Sequence, residues 1–463
     1  MSKNLKILLV VALALLVAAP AMAATFTVHG DLDTRFLVYT DQLGFFGGDS
    51  GAQVLDPDDR ADSFGEIKYR LWMEASTNDG KVMGVFGMEV GSLRFGDASL
   101  GGSFGGDGKG TTGNIETMWF YTDFQIPNVD SKARFRMGLQ PQMVNPYFWV
   151  ENAMGVKFYT DNWYLSWFRG VNANTGSGQD WGDGDLDSIN ARYDLKIEPV
   201  QVGFFLSYLW EGSSATFTDF STFDALTSYV VKKLPAAEFN LLGIGIDGGW
   251  STATNFGKVF INWDAIYENG KIKNISEDGG VTIEDLDLSA YLLHADIGAS
   301  FGAATLTFTS MYATGDDDPD DLDLKAYIAV DTDRTESAIF QERHFTNDLY
   351  FTDRPYIHDW GLFLNKLALD YQASKQTKLG LAVLYLLTAE DATLGDGSTE
   401  NKLGTEVDAY VTHKLYDNLE IGIDFAYLWS GDVMDDFETG TDAGDGKADV
   451  DIFLSSAHIK YKF

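Results

Sequence analysis

The 463-residue chain has no cysteine and nine prolines, and basic residues are scarce, with 33 Lys and Arg against 69 Asp and Glu. Without cysteine there is no disulfide framework and no thiolate metal site. A formal net charge of −36 excludes a nucleic-acid partner, which would need a basic surface. The six histidines (His29, His294, His344, His358, His413, His458) show no H-E-x-x-H or comparable ligand spacing. Gly101-Gly102-Ser103-Phe104-Gly105 matches G-x-S-x-G, but in a glycine-rich stretch rather than at a strand-to-helix elbow, so it reads as chance. The chain is therefore not expected to be an enzyme. Nor is there, after residue 23, an apolar run long enough to cross a bilayer as a helix. That last absence leaves membrane strands open, because they alternate and carry little net hydropathy.

What the chain does have is 48 Gly, 32 Phe, 21 Tyr and 11 Trp, arranged with a period of two. In the closing stretch Phe463, Tyr461, Ile459, Ala457 and Phe453 share one parity, while Lys462, Lys460, His458 and Ser456 share the other. Near the start, Phe26, Val28, Leu32, Phe36 and Val38 alternate with Thr27, His29, Asp31, Asp33 and Arg35. Such alternation belongs to strands with a different solvent on each face. A closed barrel explains why the chain both begins and ends on one, since its last strand pairs with its first and leaves no edge. Residues 1–23 carry Lys3 and Lys6, an apolar core from Ile7 to Ala19 and Ala21-Met22-Ala23, the pattern of a cleaved signal peptide. Residues 24–463 then form one barrel domain.

Between these ends, tight turns and long polar loops take turns. Asn78-Asp79-Gly80, Asp161-Asn162, Glu198-Pro199, Phe301-Gly302 and Tyr416-Asp417-Asn418 mark turns, and 96–113, 211–236 and 315–358 mark long loops. The count predicts an all-β, transmembrane antiparallel barrel of about 18 strands in nine hairpins, with both termini on the short-turn side. Losing the short pair near 155–160 and 163–170 would give 16. Pro141 to Met154 reads as a loop because of Pro141 and Pro146. A sandwich does not account for the charged face of Glu66, Lys68, Arg70 and Glu74 opposite Ile67, Tyr69, Leu71 and Met73. No short-period repeat supports a solenoid.

The signal segment, the amphipathic strands and the terminal aromatic strand together resemble an outer-membrane porin of a Gram-negative bacterium. The resemblance implies a water-filled channel for passive diffusion of small hydrophilic solutes and ions. Tyr461 and Phe463 would carry the signal read by the barrel-assembly machinery. The partners implied are outer-membrane lipid and lipopolysaccharide, and two further copies of the chain in a homotrimer. Because trimeric porins fold their third outer loop into the channel, Pro141 to Met154, with Glu151 its sole acid, becomes the candidate constriction, with 315–358 as the alternative. A substrate-selective sugar or organic-anion channel, or a non-conducting structural or adhesive barrel, are the other readings. A lumen lined by mixed charge favours a channel, and one plugged by 315–358 favours the non-conducting barrel.

Inward parity nominates Arg35, Lys68, Arg70, Arg134, Arg136 and Arg192 as pore-lining, with Glu116 on an ambiguous face beside Met118 and Phe120. Lys157 and Lys196 share this parity, as do the acids Asp31, Asp33, Glu66, Glu74, Glu89, Asp194, Glu406 and Asp408. Any one of these can equally be a solvated lumen residue paired with a strand neighbour. Trp72, Trp119, Tyr121, Trp163, Tyr208, Trp210, Trp250, Trp360, Tyr427 and Trp429 read as interfacial belts, Trp72 excepted because it shares the charged parity. No cofactor is expected. Acidic runs at Asp183 to Asp187 and Asp316 to Asp323 offer oxygen ligands for Ca²⁺ or Mg²⁺ without matching a calcium-hand loop, and simple solvated acid is the alternative. Deleting Phe463 is expected to slow assembly into the outer membrane, and a pulse-chase of heat-modifiable barrel checks this.

Overall fold

A computed structural model describes residues 24–40, 62–95, 115–127, 132–171, 186–214, 237–274, 285–318, 321–330, 332, 336–340, 360–437, 445–448 and 450–463. The segment 1–23 and the runs Gly101–Gly105 and Asp183–Asp185 lie outside these residues. Eighteen strands make the barrel. The first nine are β1 (Ala24–Thr40), β2 (Asp62–Thr77), β3 (Val82–Arg94), β4 (Ile115–Gln125), β5 (Arg134–Asn145), β6 (Trp149–Tyr159), β7 (Trp163–Val171), β8 (Leu186–Ile197) and β9 (Val200–Ser214). The rest are β10 (Ala237–Thr254), β11 (Gly257–Asn274), β12 (Leu286–Phe301), β13 (Ala304–Ala313), β14 (Leu362–Gln372), β15 (Thr377–Thr393), β16 (Thr399–Tyr416), β17 (Leu419–Ser430) and β18 (Ile452–Lys462). Each is antiparallel to the next, and β18 returns to β1. The 16-strand alternative falls, because β6 and β7 are both present and paired.

Closure follows from the solvent. No water in the hydrocarbon can satisfy a free strand edge, so every ladder must find a partner. At the seam, Phe463 N donates to Gly30 O (3.0 Å) and Gly30 N to Phe463 O (2.9 Å). The terminal ring lies directly over Gly30, where a Cβ would come within 2.3 Å of it. Phe36, Leu206, Leu293, Phe308, Leu367 and Ile459 are exposed on the outer face, the arrangement of a lipid belt. The alternation breaks within β4: Gly87 faces Trp119 but Met88 faces Thr117, leaving Met118 as an extra, buried residue. That bulge explains why parity alone could not assign Glu116. In the register Glu116 faces Glu89, and Trp119, Tyr121 and Asp123 line the lumen with it.

Two features fill the lumen. First, residues 141–154 are a hairpin and not the loop that the prolines suggest: β5 runs to Asn145, β6 starts at Trp149, and Pro146-Tyr147-Phe148 is the turn. Pro141 sits in register opposite Asn152. An edge strand admits proline, and β5 has become one because its pairing with β4 stops at Leu139. Likewise β6 leaves β7 above Met154. The freed arms carry their own ladder inward from Gly138, whose φ of 130° suits the bend.

Second, the described parts of the β13–β14 connection turn into the barrel. Asp323–Leu324 pairs with Asp287–Leu288 of β12 as a short parallel strand. Beyond it Ala326, Tyr327, Ile328, Ala329 and Val330, then Ala338, Ile339 and Phe340, are buried. They join one apolar cluster with inward residues of the wall, among them Leu241, Ile266, Leu292, Leu364, Leu384 and Leu428. Substituting Arg for Leu367, which faces Phe308 and Val383 across its two ladders on the lipid side, is expected to cost about 2–4 kcal/mol of folding free energy. Equilibrium unfolding in phospholipid vesicles checks it; an unchanged midpoint would contradict a lipid-facing Leu367.

Candidate functional site

The hairpin tip crosses the lumen to the far wall. Asn145 Nδ2 donates to Asp264 (2.6 Å) and Asp247 (3.2 Å), while its Oδ1 accepts from Tyr147 N (2.9 Å). Tyr147 packs on His294 of β12, with ring centroids 4.6 Å apart, and His294 Nδ1 contacts Asp264 at 2.8 Å. Phe148 packs on Phe205 of β9. Arg192 of β8 ties the arm to the wall beneath: it donates to Val144 O (3.0 Å), to both oxygens of Asp247 (2.6 and 2.7 Å) and to Asp194 (2.9 Å). A bidentate guanidinium–carboxylate pair fixes direction as well as distance, so the crossing is held at a set height.

Cavities remain on both sides of this shelf. One of about 760 Å³ faces the long-loop end and is lined by Lys68, Arg70, Glu89, Trp119, Lys157 and Arg192, among others. The other, of about 510 Å³, faces the short-turn end and is lined by Pro146, Asp247, Asn262 and Asp264. Both also touch Met143, Arg192 and Asp194, which therefore mark the waist. Short turns are periplasmic in bacterial barrels, which makes the larger space the outer vestibule.

The nominated residues fall into three groups. Lys68, Arg70, Glu116, Glu151 and Arg192 line the outer vestibule. There Glu89 accepts from Arg70 (2.5 Å) and pairs with Lys68 (3.2 Å), and Glu151 accepts the Asn152 N–H (2.6 Å). Arg134 and Arg136 stand lower, clamped onto the fully buried Asp123 at 2.5 and 2.8 Å. Tyr159 also donates to Asp123 (2.6 Å), and Arg134 reaches the periplasmic turn at Gly80 O (3.3 Å). This pair supports the wall below the waist. Arg35 belongs to the seam, with Asp33 at 3.4 Å, and Lys460 shares that carboxylate at 3.3 Å. Tyr461 and Phe463 pack together at its lower end, tilted, with ring centroids 5.6 Å apart.

Lys157, named from parity alone, stands out. No carboxylate oxygen among the described residues lies within 4.0 Å of its ammonium, which sits 4.0 Å from the Tyr164 ring centroid. The charges acting on it, Arg136 and Arg192, carry its own sign. The aromatic belt reading needs correction as well. Trp119 and Tyr121 share the lumenal parity of Asp123, and Trp72 meets Trp119 edge to face at 5.5 Å and stacks on His29 at 5.2 Å. Trp360 packs against the apolar cluster, whereas Trp163, Tyr208 and Trp429 are exposed as a belt requires. In the acidic run, Asp317 pairs with Lys325, and no group of three metal-ligating side chains occurs among the described residues.

A closed barrel of eighteen strands, belted with apolar side chains and turned tightly at one end, defines the class: an outer-membrane β-barrel with the porin fold, in the Gram-negative outer membrane. No protein-family model and no curated protein matches the chain. The structure is similar to that of OccK9 (OpdG) of Pseudomonas aeruginosa, with a TM-score of 0.51 and 12% identity over 95% of this chain and 98% of that one. A BenF-like porin of Pseudomonas fluorescens follows at 0.49 and 11%, covering 95% and 98%. OccAB4 of Acinetobacter baumannii gives 0.49 and 9%, covering 96% and 99%. At such identities the likeness is one of fold.

Replacing Lys157 by Glu is expected to move the reversal potential in a salt gradient toward cations, and by more than Arg134→Glu with Arg136→Glu does. Equal shifts would put the filter below the waist.

Proposed function

We propose that the barrel is a narrow diffusion channel for small hydrophilic solutes and ions, with the β5–β6 hairpin as its constriction. The observation that carries this is the pair of cavities, each lined by charged side chains, that share Met143, Arg192 and Asp194 as a common border. The inward 323–330 and 336–340 residues take up the other side of the lumen, so the water path runs off-axis along β2–β11. A plug that filled the whole section would have favoured a structural or adhesive barrel; the cavities argue for conduction instead. Cations and carboxylates face one another across the vestibule, and such a field orients dipolar solutes as they pass.

Lys157 favours a second, narrower reading. An ammonium with no carboxylate partner among the described residues, with Tyr164 beside it and Trp119 lining the same cavity, suits a passing organic anion.

Single-channel recording of the purified protein in a planar bilayer tests the proposal. Small ohmic steps are expected, and their grouping in threes would support a trimer. Transient block by millimolar small carboxylates, relieved in Lys157→Glu, would support the organic-anion reading. A silent membrane with correctly folded protein would overturn the channel.

A further inference from the structure

The constriction is not held by the hairpin alone. Its tip is bound from above by the β13–β14 connection: Val330 N donates to Phe148 O (2.8 Å), and Tyr327 Oη to Tyr147 O (3.0 Å). That connection is itself an irregular piece of backbone in an apolar place, where every N–H needs an acceptor. The wall supplies acceptors in the form of two fully buried carboxylates. Glu268 of β11 accepts from Ile328 N at 3.0 Å. Glu406 of β16 accepts from Ala338 N and Ile339 N through Oε1, each at 2.8 Å. Its Oε2 accepts from Ser337 Oγ (2.6 Å) and Phe340 N (3.3 Å).

We propose that Glu268 and Glu406 are positioning residues that set the width of the channel, latching 323–330 and 336–340 inside the lumen and, through them, the hairpin. The proposal rests on the diffusion-channel reading above. A carboxylate in an apolar interior is costly unless donors surround it, and the converse also holds. Removing Glu406 strands the Ala338 and Ile339 N–H groups and leaves Phe340 N only its bond to Ser337 Oγ (2.7 Å), so the segment gains by returning to water. The two latches differ in strength. Glu406 has four donors, whereas Glu268 has one and its Oε1 has no partner. Lys366 adds to the stronger side by donating to Glu336 O at 2.6 Å. The half held by the weaker latch is the half that touches the hairpin, so it is the half whose release widens the waist.

The absence of cysteine makes the test direct. Ala338→Cys introduces a single, buried thiol, to be probed with a charged methanethiosulfonate reagent in the folded barrel, alone and together with Glu406→Ala. Single-channel conductance is recorded for the wild type, Glu268→Ala, Glu406→Ala and the conservative Glu406→Asp. The expected result is a protected thiol that becomes reactive with Glu406→Ala. Conductance should rise by roughly two-fold with Glu268→Ala, whose half bears on the hairpin tip, and by less with Glu406→Ala, with Glu406→Asp close to wild type. Neither glutamate belongs to the ladder through its side chain, so both variants should insert, and heat-modifiable migration confirms it. A thiol still protected with Glu406→Ala, and alanine variants that conduct like the wild type, would overturn the latch. A silent wild type would overturn the channel reading alone, and thiol reactivity would then decide the latch by itself.

Discussion

Everything in this barrel depends on the demand that backbone polar groups be satisfied where no water can reach them. The wall meets it by closing on itself. The hairpin meets it by leaving the wall as a pair, β5 and β6 still bonded to each other, so that a strand segment can cross the lumen without losing its ladder. The described residues of the β13–β14 connection have no such companion strand beyond Asp323–Leu324. It must borrow acceptors from side chains, and the acid for that purpose comes from wall positions whose parity faces inward. A structural feature that looks like pore lining, an inward glutamate, is thereby used as packing.

This division gives the lumen two unlike sides. Along β2–β9 the inner face is charged and partnered across strands, with Arg192 bridging wall and hairpin. Along much of β10–β18 the upper inner face is leucine-rich and dry. The same side-chain parity thus carries two different solvents along one circumference, and the hairpin tip lies on the border between them. His294, Asp264 and Asp247 supply the polar contacts there, and Phe148 and Phe205 the apolar ones.

The strand number, the closing seam, the short-turn ends and the inward parity of most charges were legible in the sequence, since each follows from a period of two. Three things were hidden by rules that are right on average. Pro141 and Pro146 signalled a loop, but proline is tolerated on an edge strand, and nothing local shows that β5 becomes an edge. The bulge at Met118 reversed parity within β4, which hid the lumenal side of Glu116, Trp119 and Tyr121. The sequence marks 315–358 as an alternative occupant of the channel, and the structure shows the matching apolar inner face at Leu384, Leu386, Leu428, Ile452 and Leu454. Apolar residues on both faces of a strand need cover on both. What could not be read was that 141–154 and parts of 315–358 both enter and bind each other, because contacts between Glu406 and Ser337 or Asn145 and Asp264 join residues far apart in sequence.

The contact of Phe463 with Gly30 has a consequence in time. The ladder that closes the cylinder joins β1 to β18, the two strands of the wall farthest apart in sequence, so the wall stays open until both have formed. Closing the wall is therefore a late, long-range event, slowed by the loop-closure entropy that distant strand pairing must overcome.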